Sequence, residues 1–151
     1  MSERIPVVVL AIMCLMAAAQ AQTPMAYAVS GDAIVQSLTS KKGNAERGRA
    51  IVADRTLGLC LLCHAAPIAE ERLQGNLGPS LAGAGVRLSE GQLRLRIVDP
   101  AKVNPDSIMP AYYRVDGLQH VARSFHGKPI LSADQIEDVV AWLTTLGETP
   151  R

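Results

Sequence analysis

Cys60, Cys63 and His64 stand in the run Cys60–Leu61–Leu62–Cys63–His64, a C-x-x-C-H pattern. Two thiols three positions apart on a helical turn can both reach vinyl groups along one porphyrin edge, and the next residue then carries an imidazole under the iron. Thioether bonds would also keep the group from diffusing out of a small protein. Three other chemistries use such cysteines. A structural zinc site needs four ligands, and with no second cysteine pair only His120 and His126 are available to complete it. A thioredoxin-like redox pair expects a preceding strand and a βαβ context, neither of which is indicated. A plain structural pair or a disulfide leaves His64 without a role. The pattern therefore points to one covalent haem c per chain, held by Cys60 and Cys63, with His64 as an axial ligand of the iron.

An iron-ligating histidine should donate its other ring nitrogen to a fixed acceptor. The carbonyl of Pro79, in Gly78–Pro79–Ser80–Leu81, is available for this, although Pro79 would equally serve only to shape its loop. The sixth ligand must come from far along the chain, and Met109, His120, His126 and Met25 are the candidates. Methionine is ordinarily core filler. Met109, however, lies in Ser107–Ile108–Met109–Pro110, where the proline stiffens an extended loop and leaves the thioether presented, so it is the expected ligand. Methionine ligation raises the reduction potential relative to bis-histidine and closes the iron to substrates. Such a site moves one electron, and no catalytic residue is expected in this chain.

The elements that must position these residues are short helices. From Asn44 to about Asp54 apolar and charged residues alternate as in an amphipathic helix. Gly48 within it costs about 1 kcal/mol of helicity relative to alanine, which points to a close helix crossing there, with Trp142 or Leu143 opposite. Ser89 and Gln92 form a capping box before Leu93, Ile97 and Val98. Asp99–Pro100 should stop that helix, because the residue before proline avoids the helical region. Ser132 and Gln135 repeat the box ahead of Ile136, Val139, Val140, Leu143 and Leu146, with Gly147 as the stop. Residues 65–88, rich in Gly and Pro, read as a loop, as does the stretch around Pro105 and Pro110. No strand or internal repeat emerges, so the expected fold is all-α. Loops this long need something other than their own packing to organise them, and a cofactor would do so.

Composition agrees. A length of 151 residues argues for one domain, and a net charge of +1 with 19% charged residues gives no reason to expect nucleic acid or a membrane surface as partner. One Phe, one Trp and three Tyr leave little aromatic volume to fill a core, a gap that a porphyrin would fill. At the N-terminus, Arg4 precedes the apolar run Ile5 to Ala19, which is too short to span a bilayer as an uncleaved anchor. Ala19 and Ala21 make an A-x-A cleavage signal, so residues 1–21 are expected to be a secretory signal peptide. A second such site, Ala26–Tyr27–Ala28, would place cleavage as late as residue 28. Cys14 would leave with this segment, so the mature chain would keep only Cys60 and Cys63, without a disulfide framework, a spare thiol or a membrane anchor. Residues 22–43 then read as an N-terminal extension and 44–148 as the domain.

Gly48–Arg49–Ala50–Ile51–Val52 and Gly58–Leu59–Cys60–Leu61–Leu62–Cys63–His64 together resemble a class I cytochrome c. Gln74–Gly75–Asn76–Leu77–Gly78–Pro79, Leu88–Ser89–Glu90–Gly91–Gln92–Leu93–Arg94, Val98–Asp99–Pro100, Asn104–Pro105, Ile108–Met109–Pro110–Ala111–Tyr112–Tyr113 and Gly127–Lys128–Pro129–Ile130–Leu131–Ser132 are narrower. They are similar to the SoxX family, the monohaem cytochrome subunit of the SoxAX complex of thiosulfate oxidation, over roughly residues 40–147. The resemblance implies a class I cytochrome c-like fold and a periplasmic heterodimer with a SoxA-type cytochrome subunit. It implies an L-cysteine S-thiosulfotransferase reaction, in which thiosulfate is conjugated to a cysteine of a SoxYZ-type carrier and the electrons pass to a downstream cytochrome. In that family the bond is made in the SoxA partner, at a haem with a modified cysteine ligand. The roles of Cys60, Cys63, His64 and Met109 carry over unchanged. The residues alone equally describe a free-standing periplasmic electron carrier.

Overall fold

Asn44 starts the first helix because its side-chain oxygen accepts the Arg47 amide hydrogen at 2.8 Å. This helix, α1, spans Ala45–Ala53 and buries Gly48, Ile51 and Val52. The computed structural model describes residues 24–147; the expected signal peptide over residues 1–21, with Cys14, lies outside them. One turn of helix, α2 (Ala84–Arg87), forms inside the stretch expected as pure loop. The helix α3 (Glu90–Val98) carries the Ser89–Gln92 capping box in both directions, and Asp99 ends it before a 3-10 turn over Pro100–Lys102. The last helix, α4 (Ala133–Thr144), carries the Ser132–Gln135 box. Among the described residues there is no strand, only an isolated bridge between Ser30 and Ala33. No helix among them is long and apolar enough to cross a membrane.

Two details differ from the sequence pattern. The final helix stops at Thr144, short of Leu146. The hydroxyls of Thr144 and Thr145 donate to the Ala141 and Trp142 carbonyls at 2.8 and 2.6 Å, and such back-bonding competes with helix continuation. Leu146 still packs on the core, from the turn beyond the helix. The second detail is the crossing at Gly48. Here α1 does meet α4, but against the Asp138–Val139 backbone, one turn before the expected Trp142 and Leu143. A Cβ on residue 48 would stand 2.9 Å from the Val139 nitrogen and closer still to the Asp138 carbonyl oxygen.

The segment before α1 is stitched into the core by charge. Ile34 and Leu38 are buried. Arg94 of α3 and Glu137 of α4, both buried, form a two-pronged ion pair at 2.7 and 2.9 Å. The third arm of Arg94 donates to the Ile34 carbonyl at 2.7 Å, and the Leu38 amide donates to Glu137 at 2.9 Å. Neighbouring Asp138 does the same for α1, accepting from the Asn44 amide at 2.6 Å and from Arg47 at 2.7 and 2.8 Å. Every arm of these buried charges has a partner, which is the condition under which ions are tolerated in an interior.

Candidate haem site

The C-x-x-C-H run folds as a single 3-10 turn, Cys60–Leu62, entered through Leu59 in the left-handed region at φ 59°. A branched side chain there is strained by about 1–2 kcal/mol, and strain of this kind collects at functional sites. Leu61, with no exposed surface, pins the turn to the core, while half-buried Cys60 and Cys63 line an open cleft. The Cys63 and His64 amides both return to the Cys60 carbonyl, at 3.1 and 2.9 Å. Three chemically active side chains are thus fixed within one turn.

His64 is oriented from the loop that follows. Its Nδ1 lies 2.7 Å from the Pro79 carbonyl oxygen. A carbonyl only accepts, so Nδ1 carries a proton, which leaves Nε2 as the nitrogen whose lone pair a metal could take. Gly78 donates its amide to the Cys63 carbonyl at 2.8 Å and lies against the imidazole. A Cβ at residue 78 would lie 2.6 Å from Nδ1, so the ring occupies space that any other side chain would claim. The Gly75 amide closes the same loop onto the Leu61 carbonyl at 2.9 Å. Gln74 holds it from inside, accepting from the Ala66 amide at 2.6 Å and donating to the Ile68 and Glu71 carbonyls. The roles of Gly78 and Gln74 are not visible in the sequence, where a glycine before proline reads only as a turn.

The cleft measures about 610 Å³, within the roughly 300–1,000 Å³ of small-molecule and cofactor sites. Leu62, Leu77, Val103 and Ile108 are exposed around its rim, beside Asn104 and Asp106. Of the four candidates for a sixth ligand, Met109 alone lines it. His120 and His126 are exposed on the segment before α4, and the His126 Nε2 lies 2.8 Å from the Val121 carbonyl oxygen. Met25 is exposed and borders a separate hollow with Tyr113. A zinc site finds no support in this geometry: among the described residues no three His, Cys, Asp or Glu side chains converge on one point.

Polar groups in the cleft are few. Burial pushes the Cys60 thiol up to about 11, so it is a neutral S–H, donating to the Gly58 carbonyl at 3.2 Å. The Tyr112 hydroxyl donates to that same oxygen at 2.7 Å, and burial raises its phenol as well. Arg96 is the cation at the lining, with Nη1 on the Gln92 carbonyl at 3.0 Å. An apolar cleft with two thiols and an imidazole lone pair on one wall and a thioether on its lining fits a covalently held haem.

Both long loops, the one that follows His64 and the one that follows Asp99, reach this cleft from a frame of short helices. That arrangement is a class I cytochrome c-type fold. No protein-family model and no curated protein matches the chain. Among solved structures it is similar to a chain of the crystal structure of SoxXA from P. pantotrophus, with 38% identity, 81% of this chain and 95% of that chain covered, and a TM-score of 0.74. The chain belongs to the SoxX family of cytochrome subunits.

Proposed function

We propose that this chain is the electron-accepting subunit of a periplasmic SoxAX-type complex that oxidatively conjugates thiosulfate to a carrier-protein cysteine. The observation that carries the reading is the cleft in which Cys60, Cys63, His64 and Met109 meet, in a chain of the SoxX family. When bound, the haem supplies reversible one-electron chemistry at its iron. Cys60 and Cys63 would hold it through thioethers, one group per chain. His64 Nε2 and the Met109 sulfur would hold its iron, and the Pro79 carbonyl would fix the imidazole.

With His64 and Met109 both holding the iron, no place on it would be left for a substrate, and the chain would pass electrons between partners without making a bond. Thiols are exhausted too: Cys60 and Cys63 are spent on haem and Cys14 lies in the expected signal peptide, so no nucleophile is left to carry sulfur. Joining thiosulfate to a carrier thiol forms one S–S bond and releases two electrons and the thiol proton. Bond formation belongs to a SoxA-type partner, and this chain relays the electrons singly to a downstream cytochrome.

The test is the mass of a SoxYZ-type carrier after incubation with thiosulfate and an electron acceptor. The purified chain alone should leave the carrier unmodified, and addition of a SoxA-type partner should add the thiosulfonate mass. Conjugation without any partner would contradict the assignment. A chain that binds no SoxA-type subunit yet exchanges electrons with an oxidase would instead be a free-standing carrier.

A further inference from the structure

Tyr112 lies three residues beyond Met109, with only Pro110 and Ala111 between, and its buried ring lines the same cleft. Its backbone is held on both sides: the amide donates to the Ile97 carbonyl of α3 at 3.0 Å, and its carbonyl accepts from Ile130 and Leu131 at 2.8 and 3.1 Å. Its hydroxyl reaches 54 positions back along the chain to the Gly58 carbonyl, two residues before Cys60. One side chain thus ties the loop bearing Met109 to the turn bearing Cys60, Cys63 and His64.

Haem attachment sharpens this link. In the free thiol form the Gly58 oxygen accepts from both Cys60 and Tyr112. When the Cys60 thiol adds across a vinyl group, a C–S bond forms and the thiol hydrogen goes to carbon, so the sulfur no longer donates. Among the described residues Tyr112 is then the remaining donor to a buried carbonyl. A buried acceptor left without a donor is costly, so the attached state depends on this hydroxyl more than the unattached one does.

We propose that Tyr112 is a positioning residue for the axial methionine: its hydroxyl clamps the Met109 loop onto the haem-attachment turn. The inference rests on the covalent-haem reading above. Tyr112→Phe keeps the ring and removes the clamp. In the ferric haem protein, exogenous imidazole competes with the methionine for iron, so a looser loop should be displaced more readily. A hydrogen bond of ordinary net worth corresponds to roughly 3- to 10-fold tighter imidazole binding in the variant. The near-infrared band of iron–thioether ligation should weaken and the reduction potential fall. Tyr113→Phe is the control: that hydroxyl accepts from the Met25 amide at 2.8 Å, outside the cleft lining, and its loss should move none of the three readings.

A merely structural tyrosine would lower thermal stability and leave imidazole affinity, band and potential unchanged; that result would overturn the proposal while leaving covalent haem intact. Absence of haem from the unmodified protein would instead overturn the reading beneath it. Should Tyr112→Phe fail to accumulate, the ferrous unmodified protein decides. Its proton NMR spectrum should contain a slowly exchanging Tyr112 hydroxyl proton close to the Gly58 α-protons, and a freely exchanging one would refute the clamp.

Discussion

Gly78 and His64 are in contact, and the imidazole fills the space that a Cβ on residue 78 would occupy. The same glycine donates its amide to the Cys63 carbonyl, so it cannot withdraw without opening the turn. Gly78→Ala should therefore push the ring off the Pro79 carbonyl. We expect a destabilisation of about 1–3 kcal/mol, as for overpacking elsewhere, together with a shifted reduction potential. Denaturation and potentiometry on the haem-loaded protein would check both, and an unchanged potential would mean that the ring is held by something else.

A second close approach holds the frame. At Gly48 the α1 and α4 backbones touch, with the Asp138–Val139 peptide where a side chain would go. Gly48→Val should overpack this crossing and cost about 1–3 kcal/mol. The midpoint of thermal unfolding of the haem-loaded protein is the readout, and no change would contradict the crossing.

Arg94 and Glu137 predict a non-additive pair. Removing the charge of one, as in Glu137→Gln, leaves a buried guanidinium with only the exposed Glu90 carboxylate, 3.9 Å away, to compensate it, and should cost about 3 kcal/mol. Arg94→Met with Glu137→Leu together should recover much of that loss, because an apolar pair carries no desolvation penalty. Equal losses for the single and double variants in denaturant titrations would exclude a buried ion pair as the link.

These residues also show where the sequence stopped being legible. The helix starts at Ser89 and Ser132 were readable because a capping box is local, complete within four residues, and both boxes are present. The Cys60–His64 run is local in the same sense, closed within one turn. How the segment before α1 is anchored was not legible because the contacts are non-local: Ile34 and Leu38 are held by Arg94 and Glu137, some 60 and 99 positions away. Glu137 and Asp138 look like surface charges in a helix of period 3.6, yet both are buried where α4 meets other elements. Gly78 and Tyr112 escaped notice for a related reason. Their importance lies in what they touch, and neither residue type announces it.

Met109 is the proposed sixth ligand, on the strength of being the one candidate at the cleft. Met109→Ala should abolish the near-infrared iron–thioether band of the ferric protein and lower the reduction potential. His120→Ala and His126→Ala should leave both as they are. Loss of the low-spin spectrum in either histidine variant would move the ligand to the exposed segment before α4.

The central claim is that Cys60 and Cys63 carry one haem covalently. Mass spectrometry of the exported protein, purified from cells that mature c-type cytochromes, tests it most directly. The intact mass should exceed that of the processed chain by one haem, and the increment should map to the peptide containing Cys60–His64. Cys60→Ala with Cys63→Ala should abolish it. An unmodified chain with two free thiols, or one binding zinc in their place, would contradict the account.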